Sequence, residues 1–305
     1  MTHIIAFAGR KVSGKTTACN FLHGHEMQRA DPTGDFTYRV NEAGQLVVRN
    51  VAIKDGRPHY DEGVLDVQQK TFEFIKYANN HIWPYIRVFN FADTLKDIAV
   101  DVLGLDYEQC YGTDDQKNTA TKLRWENMPG VITRETFESE CGNMLCDWFP
   151  KEKEWGSKRM QESLGRIGLH YHAAGLMTGR EVLQYLGTDV FRRMYDRVWI
   201  DNCLRQIEEE QPAIAVIGDC RFLNEVQAVQ DAGGKVIHLT RNSGGGDGHA
   251  SENDLEGFEG YDGEVDNANM TIAQQNEKVL ELLVYWGVTD FIRPKYVTTV
   301  RQPGR

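Results

Sequence analysis

Four short runs of apolar residues divide the chain, and each is followed by a segment with helical spacing. The runs occupy residues 3–8, 85–91, 213–218 and 235–240. Apolar runs of this length without polar alternation are typical of strands that are buried on both faces. Because strand and helix alternate along the chain, the pattern predicts an α/β fold with a parallel sheet between two layers of helices.

Apolar residues at intervals of three and four predict the helices. These helices are expected at residues 16–23, 64–81, 92–103, 190–210, 222–232 and 271–286. A further helix is expected to begin after Thr178, whose hydroxyl can cap it, with Glu181 at the reciprocal capping position.

Two stretches interrupt this alternation. Residues 31–60 alternate between apolar and polar positions and contain turn signals at 41–44 and 55–56, which predicts an inserted β-hairpin or small meander. Residues 105–177 are polar and irregular, with scattered glycines and aromatic residues, and are interpreted as a second insertion. We see no internal repeat.

Composition narrows the class of protein. The 305 residues carry 34 Lys and Arg against 45 Asp and Glu, a formal net charge of −11, which disfavours a broad basic surface for nucleic acid. No apolar run approaches the roughly 20 residues that a membrane span needs, and the opening residues lack the pattern of a signal peptide. The six cysteines are scattered, as expected of reduced thiols. We expect a cytoplasmic protein without a membrane partner, in the host cytoplasm if it is viral.

A phosphate-binding motif follows the first apolar run. Gly9 is followed by four residues and then by Gly14, Lys15 and Thr16, which is the Walker A spacing of a P-loop between a strand and a helix. Glycines let successive backbone N–H groups point at phosphate oxygens, and the helix N-terminus adds positive potential. We expect Lys15 on a solvated loop, reaching the β and γ phosphates of ATP. The predicted ATP-binding residues are Gly9, Lys11, Ser13, Gly14, Lys15, Thr16 and Thr17.

A carboxylate follows the third apolar run. Asp219 stands at the position where P-loop enzymes hold Mg²⁺, and Thr16 is the second predicted ligand of that ion. Arg221 follows two residues later, so a cation is expected at the same edge of the sheet. We predict Lys15, Asp219 and Arg221 as catalytic residues. The alternative for Asp219 and Arg221 is a local ion pair at the end of a strand.

Several blocks of the chain, taken together, resemble the tailed-phage deoxynucleoside monophosphate kinases, a P-loop nucleotide kinase family. The blocks lie at residues 9–17, 91–96, 180–189, 196–199, 218–225, 238–241, 249–252 and 266–267. The resemblance covers about half the chain. It implies transfer of the γ-phosphoryl group of ATP to a deoxynucleoside 5′-monophosphate, giving the diphosphate for phage DNA synthesis. This chain departs from the family in having Thr16 where many members have aspartate.

Candidate acceptor residues follow from charge and from the resemblance. Arg180 and Arg221 are candidates for clamping phosphate, because the guanidinium fork matches phosphate oxygens in pairs. The resemblance implies that Asp93 and Lys96 contact the acceptor nucleotide. The remaining candidates for substrate binding are Gln184, which could instead cap a neighbouring backbone group, and Arg241, which could lie near the ATP base or in a lid.

The fold and domain predictions combine these points. We predict a P-loop three-layer α/β/α core formed by residues 1–30, 86–104 and 178–292. Residues 31–85 are the first insertion, residues 105–177 the second insertion on the acceptor side, and residues 293–305 a basic tail. The expected partner is a small-molecule nucleotide acceptor, and a homodimer is compatible with this interpretation.

Other functions fit parts of the sequence. The alternative enzyme is a P-loop kinase that phosphorylates a hydroxymethylated base, such as 5-hydroxymethyluracil, within phage DNA, with DNA held by a basic cleft in the second insertion. A non-catalytic ATP-binding module is disfavoured by the intact Lys15, Thr16 and Asp219. Cys141, Cys146, His170 and His172 lack the spacing of a structural zinc site, so they are interpreted as packing and surface residues.

Overall fold

The computed structural model describes residues 2–54, 57–140, 156–241 and 254–291. The chain divides into two compact units, one formed by Met1–Phe91 with Ile200–Arg305 and the other by Ala92–Trp199. The predicted division into a core, two insertions and a tail follows other boundaries and stays a prediction; residues 293–305 lie outside the described residues.

The strands, in chain order, are β1 (His3–Ala8), β2 (Thr37–Val40), β3 (Leu46–Lys54), β4 (Arg57–Val64), β5 (Ile86–Phe89), β6 (Ala120–Arg124), β7 (Val131–Ile132), β8 (His170–Tyr171), β9 (Leu176–Thr178), β10 (Ile214–Cys220), β11 (Lys235–Leu239) and β12 (Gly263–Val265). The α-helices are α1 (Lys15–Ala30), α2 (Phe72–His81), α3 (Asp93–Asp97), α4 (Tyr107–Tyr111), α5 (Asp114–Lys117), α6 (Arg134–Glu140), α7 (Lys158–Arg166), α8 (Gly179–Gln184), α9 (Val198–Glu210), α10 (Leu223–Asp231) and α11 (Ile272–Tyr285). Ile98–Val102 and Tyr185–Arg192 are π-helical, and Trp125–Asn127 is a 3₁₀ turn.

The first unit is built on a parallel five-stranded sheet in the order β12-β11-β1-β10-β5. β1 lies in the middle, with Ile5 opposite Val216 of β10 and Phe7 opposite Ile237 of β11. These side chains are almost completely buried and belong to one core with residues of α1 and α11. Each contributes about 1.5–3 kcal/mol by leaving water. α10 packs on β1 and β11. The predicted α/β fold with a parallel sheet is therefore confirmed.

A separate antiparallel sheet, β2-β3-β4, packs on α1 through β2 and β3. The Tyr38 ring lies 6.2 Å from the Phe21 ring and covers Gly24 of α1, where a Cβ atom would overlap that ring. Asn20 of α1 donates to the Gly44 carbonyl at 2.9 Å. Strands β2, β3 and β4 thus form the meander predicted for this part of the chain. The prediction of a helix over residues 64–81 is wrong at its start, because β4 ends at Val64 and α2 begins only at Phe72.

The second unit has its own small core, formed by Ala99, Leu105, Cys110, Trp125, Met177, Val182 and Tyr185. Within this unit α8 begins as predicted: Thr178 accepts from the Glu181 N–H, and the Glu181 carboxylate accepts from the Thr178 N–H at 2.7 Å. The predicted continuous helix over residues 190–210 is wrong, because α8 runs on as the π-helical segment Tyr185–Arg192 and α9 begins at Val198.

Two features of the described residues bear on the environment of the protein. Cys19, Cys110, Cys203 and Cys220 are free thiols, and all four are buried. In the part of the chain that the structure describes, no helix has the length and apolar character that crossing a membrane requires.

A group of buried polar residues lies in the middle of α1. Burial by itself would raise the pKa of the Glu26 carboxyl, but hydrogen bonds from His25, Thr289 and Arg29 outweigh it and lower that pKa. The Thr289 hydroxyl donates to Glu26 Oε1 at 2.5 Å, and Arg29 Nε donates to Oε2 at 2.7 Å. His23 is fully buried, and its Nδ1 lies 3.2 Å from the Cys19 carbonyl oxygen.

Protonation of His23 should make stability depend on pH. Burial lowers the pKa of His23 to about 4, below its ordinary value of 6.5, so the unfolded chain binds this proton more readily. The stability that depends on neutral His23 is therefore fully present above about pH 6.5, and it is lost as the pH falls toward 4. His23→Leu should remove about 2 kcal/mol of the difference in unfolding free energy between about pH 7 and pH 5, measured by urea denaturation. The exposed His81→Leu serves as the control, and an equal pH dependence in wild type and His23→Leu would contradict the assignment.

Candidate active site

The loop between β1 and α1 has a backbone that only glycine can adopt at two positions. Gly9 has φ 143°, and a Cβ atom there would lie 2.6 Å from the Leu239 carbonyl oxygen. Gly14, the N-cap of α1, has φ 102°, and a Cβ atom would lie 2.5 Å from Gln275 Oε1. Gly14 has no side chain to cap the first N–H groups of α1. The loop therefore packs closely against β11 and α11 and presents the helix N-terminus as an anion site.

Lys15 is the first residue of α1, and only 7% of it is exposed. Its Nζ donates to the Gly9 carbonyl at 2.5 Å and to the Arg10 carbonyl at 2.7 Å. The expectation of a solvated lysine is wrong, because the loop folds back over the side chain and its carbonyls bind the ammonium. The positive charge thus lies at the loop itself, where a phosphate group would need it.

Two further residues of the loop fit a phosphate ligand. Ser13 is 1% exposed, and its Oγ is a buried polar atom without a hydrogen-bond partner in the described structure. A buried hydroxyl of this kind is costly unless a ligand or water satisfies it. Val12, a β-branched residue, has φ 62°, which costs about 1–3 kcal/mol and is typical of functional loops.

Two side chains from the far end of the chain hold the loop in place. Asn267 is completely buried, and its Nδ2 donates to the Ser13 carbonyl at 2.7 Å and to Gln275 Oε1 at 2.6 Å. Gln275 Nε2 donates to the Gly14 carbonyl at 3.3 Å. We call Asn267 and Gln275 the loop brace. Because the brace binds the Ser13 and Gly14 carbonyls, it helps to fix the direction of the N–H groups on the opposite side of those peptides.

Asn267→Ala should weaken both the loop and the fold. It leaves the Ser13 carbonyl without its buried donor, which costs about 1–3 kcal/mol. We expect a lower melting temperature and about tenfold weaker binding of ATP, the ligand that the Walker A spacing predicts. Scanning and titration calorimetry test this, with the exposed Asn80→Ala as the control. An affinity for ATP that stays at the wild-type value while stability falls would limit the brace to a structural role.

Asp219 lies near the C-terminal end of β10, the strand next to β1. Its Oδ1 accepts from the Phe91 N–H at 2.8 Å, which fixes the carboxylate. Burial, followed by the negative charge of Asp219, raises the pKa of the Cys19 thiol to about 12, and Lys15 opposes this effect. Both charges thus act on one side chain in the first turns of α1. The structure brings Lys15, Asp219 and the start of α1 together.

Two cavities of about 240 Å³ each flank the loop in the first unit. One, which we call the β11 cavity, is lined by Gly9, Arg10, His238, Arg241 and Phe258, among others. The other, which we call the meander cavity, lies between α1 and the β2-β3-β4 sheet, and its lining includes Thr16, Cys19 and Gly218. One cavity therefore borders the start of the loop at Gly9 and Arg10, and the other borders the first turn of α1 at Thr16.

Comparison with known proteins now decides the family. Residues 101–279, more than half of the chain, match the model of the deoxynucleotide monophosphate kinase family. A protein of Acanthamoeba polyphaga mimivirus, whose own assignment as a deoxynucleotide monophosphate kinase is provisional, is 26% identical over 190 residues, which cover 57% of this chain and 70% of the relative. The chain belongs to the deoxynucleotide monophosphate kinase family. It is a nucleotide kinase, and a kinase of this family uses a nucleotide phosphate donor and acts on a small-molecule nucleotide.

In this kinase Arg221 is held through its backbone, and Arg241 through both its backbone and its guanidinium. Glu225, 2% exposed, accepts from the N–H groups of Arg221 and Phe222 at 2.7 and 3.0 Å and so caps α10. The Arg241 N–H donates to Asn267 Oδ1, and its guanidinium donates to the Asn267 and Met270 carbonyls. Arg241 thus borders the β11 cavity and also contacts the loop brace.

In the second unit, Asp93 and Lys96 lie one turn apart on α3. Lys96 Nζ is 3.3 Å from Asp93 Oδ1. Lys96 Nζ also lies 4.9 Å from the centre of the Tyr111 ring. The Tyr111 hydroxyl donates to Asp97 Oδ1 at 2.5 Å; burial, this bond and the nearby carboxylates raise the pKa of Tyr111 far above its ordinary value. Lys96 is therefore held in an acidic and aromatic setting.

Arg180 of α8 is paired within the same unit. Its Nη2 donates to Asp114 Oδ1 at 2.7 Å, and its Nε donates to Asn118 Oδ1 at 3.0 Å. Gln184, the last residue of α8, is half-buried. The roles of Asp93, Lys96, Arg180 and Gln184 in binding the acceptor stay predictions.

The sequence alone did not assign Asn267, Gln275 and Glu225 to the site. Asn267 and Glu225 fall within blocks of the family resemblance, and that position was the one sign in the sequence of a functional role. Gln275 lies outside every block, so the sequence gave no sign of its role. Cys141, Cys146 and residues 249–252 lie outside the described residues. Across the ranges 2–54, 57–140, 156–241 and 254–291, no group of three His, Cys, Asp or Glu side chains is arranged to hold a metal.

Proposed function

We propose that this kinase transfers the γ-phosphoryl group of ATP to a deoxynucleoside 5′-monophosphate. The observation that carries the proposal is the P-loop, with a buried Lys15 and a cavity at each of its two ends. A phosphoryl-transfer enzyme must hold a donor and an acceptor on opposite sides of the transferred group. The β11 cavity at Gly9 and Arg10 and the meander cavity at Thr16 provide separate space for these two substrates.

In the proposed reaction, an oxygen of the acceptor phosphate forms a bond to the γ-phosphorus. The bond from that phosphorus to the β–γ bridging oxygen breaks, and ADP leaves with the electron pair. The loop N–H groups and Lys15 bind the donor phosphates, and Arg221 stabilises the charge on the transferred group. Thr16 and Asp219 are suited to Mg²⁺, which prefers oxygen ligands together with substrate phosphates. Mg²⁺, when bound, neutralises charge on the donor phosphates.

We assign the donor base to the β11 cavity. Arg10 lines it and pairs with Glu256 at 3.5 Å, and Arg241 borders it. The His238 ring lies 4.3 Å from the Tyr261 ring at an interplanar angle of 16°, which gives this side a stacked aromatic pair. Aromatic and apolar walls with a few polar groups are typical of sites for nucleotide bases.

The test is a coupled assay of ADP formation with ATP and Mg²⁺. The four acceptors dAMP, dCMP, dGMP and dTMP are supplied separately, and duplex DNA containing 5-hydroxymethyluracil is supplied in a parallel series. Turnover with at least one free monophosphate supports the proposal. Turnover only with the DNA would overturn it in favour of the kinase acting on a modified base.

We further propose that this kinase is encoded by a phage and acts in the cytoplasm of the host cell. There it would supply deoxynucleoside diphosphates for viral DNA synthesis. A viral relative and four buried, free thiols support this setting.

A further inference from the structure

We infer that the meander cavity binds the base and sugar of the acceptor nucleotide, so that the inserted β2-β3-β4 sheet determines acceptor specificity. This inference rests on the proposed function. It concerns a part of the chain that precedes the family match, which begins at residue 101. The family relationship therefore does not supply these residues.

The position of the cavity relative to the loop is the first argument. Thr16, Cys19 and Asn20 line it from one face of the first turns of α1. Gly218 and Asn90, at the carboxyl ends of β10 and β5, close its base. The P-loop motif places the lysine at the β and γ phosphates and the threonine at the Mg²⁺ ion that those phosphates bind. The cavity on the threonine side therefore adjoins the phosphoryl group that is transferred, whereas the β11 cavity adjoins the opposite end of the loop at Gly9 and Arg10.

The chemistry of the lining is the second argument. Leu65, half-buried, and Val64, 57% exposed, give an apolar wall suited to the face of a base. Asp66 and Gln68 are exposed and also line the cavity. An amide such as that of Gln68 can donate to and accept from the edge of a base, and a carboxylate can accept from a sugar hydroxyl. An apolar cavity with a few polar groups that converge is the usual form of a small-molecule site.

The attachment of the sheet is the third argument. Asn20, which lines the cavity, also donates to the Gly44 carbonyl in the turn between β2 and β3. The Asp66 carboxylate accepts from the Gln68 N–H at 2.9 Å, which shapes the segment after β4. The wall of the cavity is thereby fixed to the helix that begins at the phosphate loop. A base bound there would be held at a defined distance from the donor phosphates.

The test uses Gln68→Ala, which removes an amide at the rim, and Val64→Trp, which fills the cavity from an exposed position. Initial rates are measured with ATP·Mg²⁺ and each of dAMP, dCMP, dGMP and dTMP. We expect KM for the accepted monophosphate to rise about tenfold in Gln68→Ala and further in Val64→Trp. KM for ATP should change less than about twofold. Equilibrium dialysis of the same monophosphate without ATP gives a second readout.

Glu42→Ala and Glu42→Trp are the matched controls, because Glu42 is exposed on the same insertion and does not line the cavity. An unchanged KM for the monophosphate in both cavity variants, with an active wild type, would overturn this inference and leave the proposed function intact. An equal rise in KM for ATP would also overturn it, since that result reports damage to the phosphate loop. A wild type inactive on all four monophosphates overturns the proposed function, and this inference with it.

Discussion

Lys15→Met should lower kcat/KM for ATP about 10³-fold while the protein stays folded. The ammonium is the buried cation of the loop, and methionine keeps the aliphatic stem without the charge. Two hydrogen bonds, to the carbonyls of Gly9 and Arg10, are also lost. We therefore expect a modest fall in melting temperature, measured by circular dichroism, alongside the large kinetic effect.

Lys278→Met is the control for Lys15→Met. Lys278 lies on α11, and its exposed ammonium pairs with Glu281 at 2.7 Å. It should retain wild-type activity. If Lys15→Met kept more than about a tenth of the wild-type kcat/KM, the ammonium would not act on the transferred phosphate, and the P-loop assignment would fail.

Asp219→Asn should lower kcat about 10²-fold or more and raise the Mg²⁺ concentration needed for half-maximal rate. Asparagine retains an oxygen that can accept from the Phe91 N–H, so the hydrogen bond at 2.8 Å can persist while the negative charge is removed. The substitution therefore distinguishes an electrostatic role of the Asp219 carboxylate from a structural role of its hydrogen bond to Phe91.

Asp231→Asn, at the exposed C-terminal end of α10, controls for loss of a carboxylate in the same unit. Rates are measured across a Mg²⁺ titration at saturating ATP. A wild-type rate with an unchanged Mg²⁺ dependence in Asp219→Asn would mean that Asp219 only secures the backbone at Phe91.

The sequence was sufficient to predict the central sheet because β1 and β10 are buried on both faces, and because these strands, β5 and β11 are all apolar runs in the sequence. β12 escaped prediction because it has three residues and one of them, Glu264, is exposed. The break before α9 was missed because residues 193–197 contain no glycine or proline to mark it.

The candidate site was predictable only in part. The Walker A spacing predicted a phosphate loop, because that chemistry needs its residues next to one another in the sequence. The burial of Lys15 was not predictable, since it depends on how the loop folds back over its own side chain. The brace and the two cavities were not predictable either, because each is formed by residues that are far apart in the sequence.

The brace has a consequence for how the enzyme is made. The hydrogen bond from Asn267 to Ser13 joins positions 254 residues apart, and β1 is flanked by two strands that follow it by about 200 residues or more. On the ribosome, where synthesis proceeds at about 5–20 residues per second, the phosphate loop emerges many seconds before its supports exist. The loop of a nascent chain therefore gains its full brace only once Gln275, 261 positions after Gly14, has been synthesised and has folded onto it.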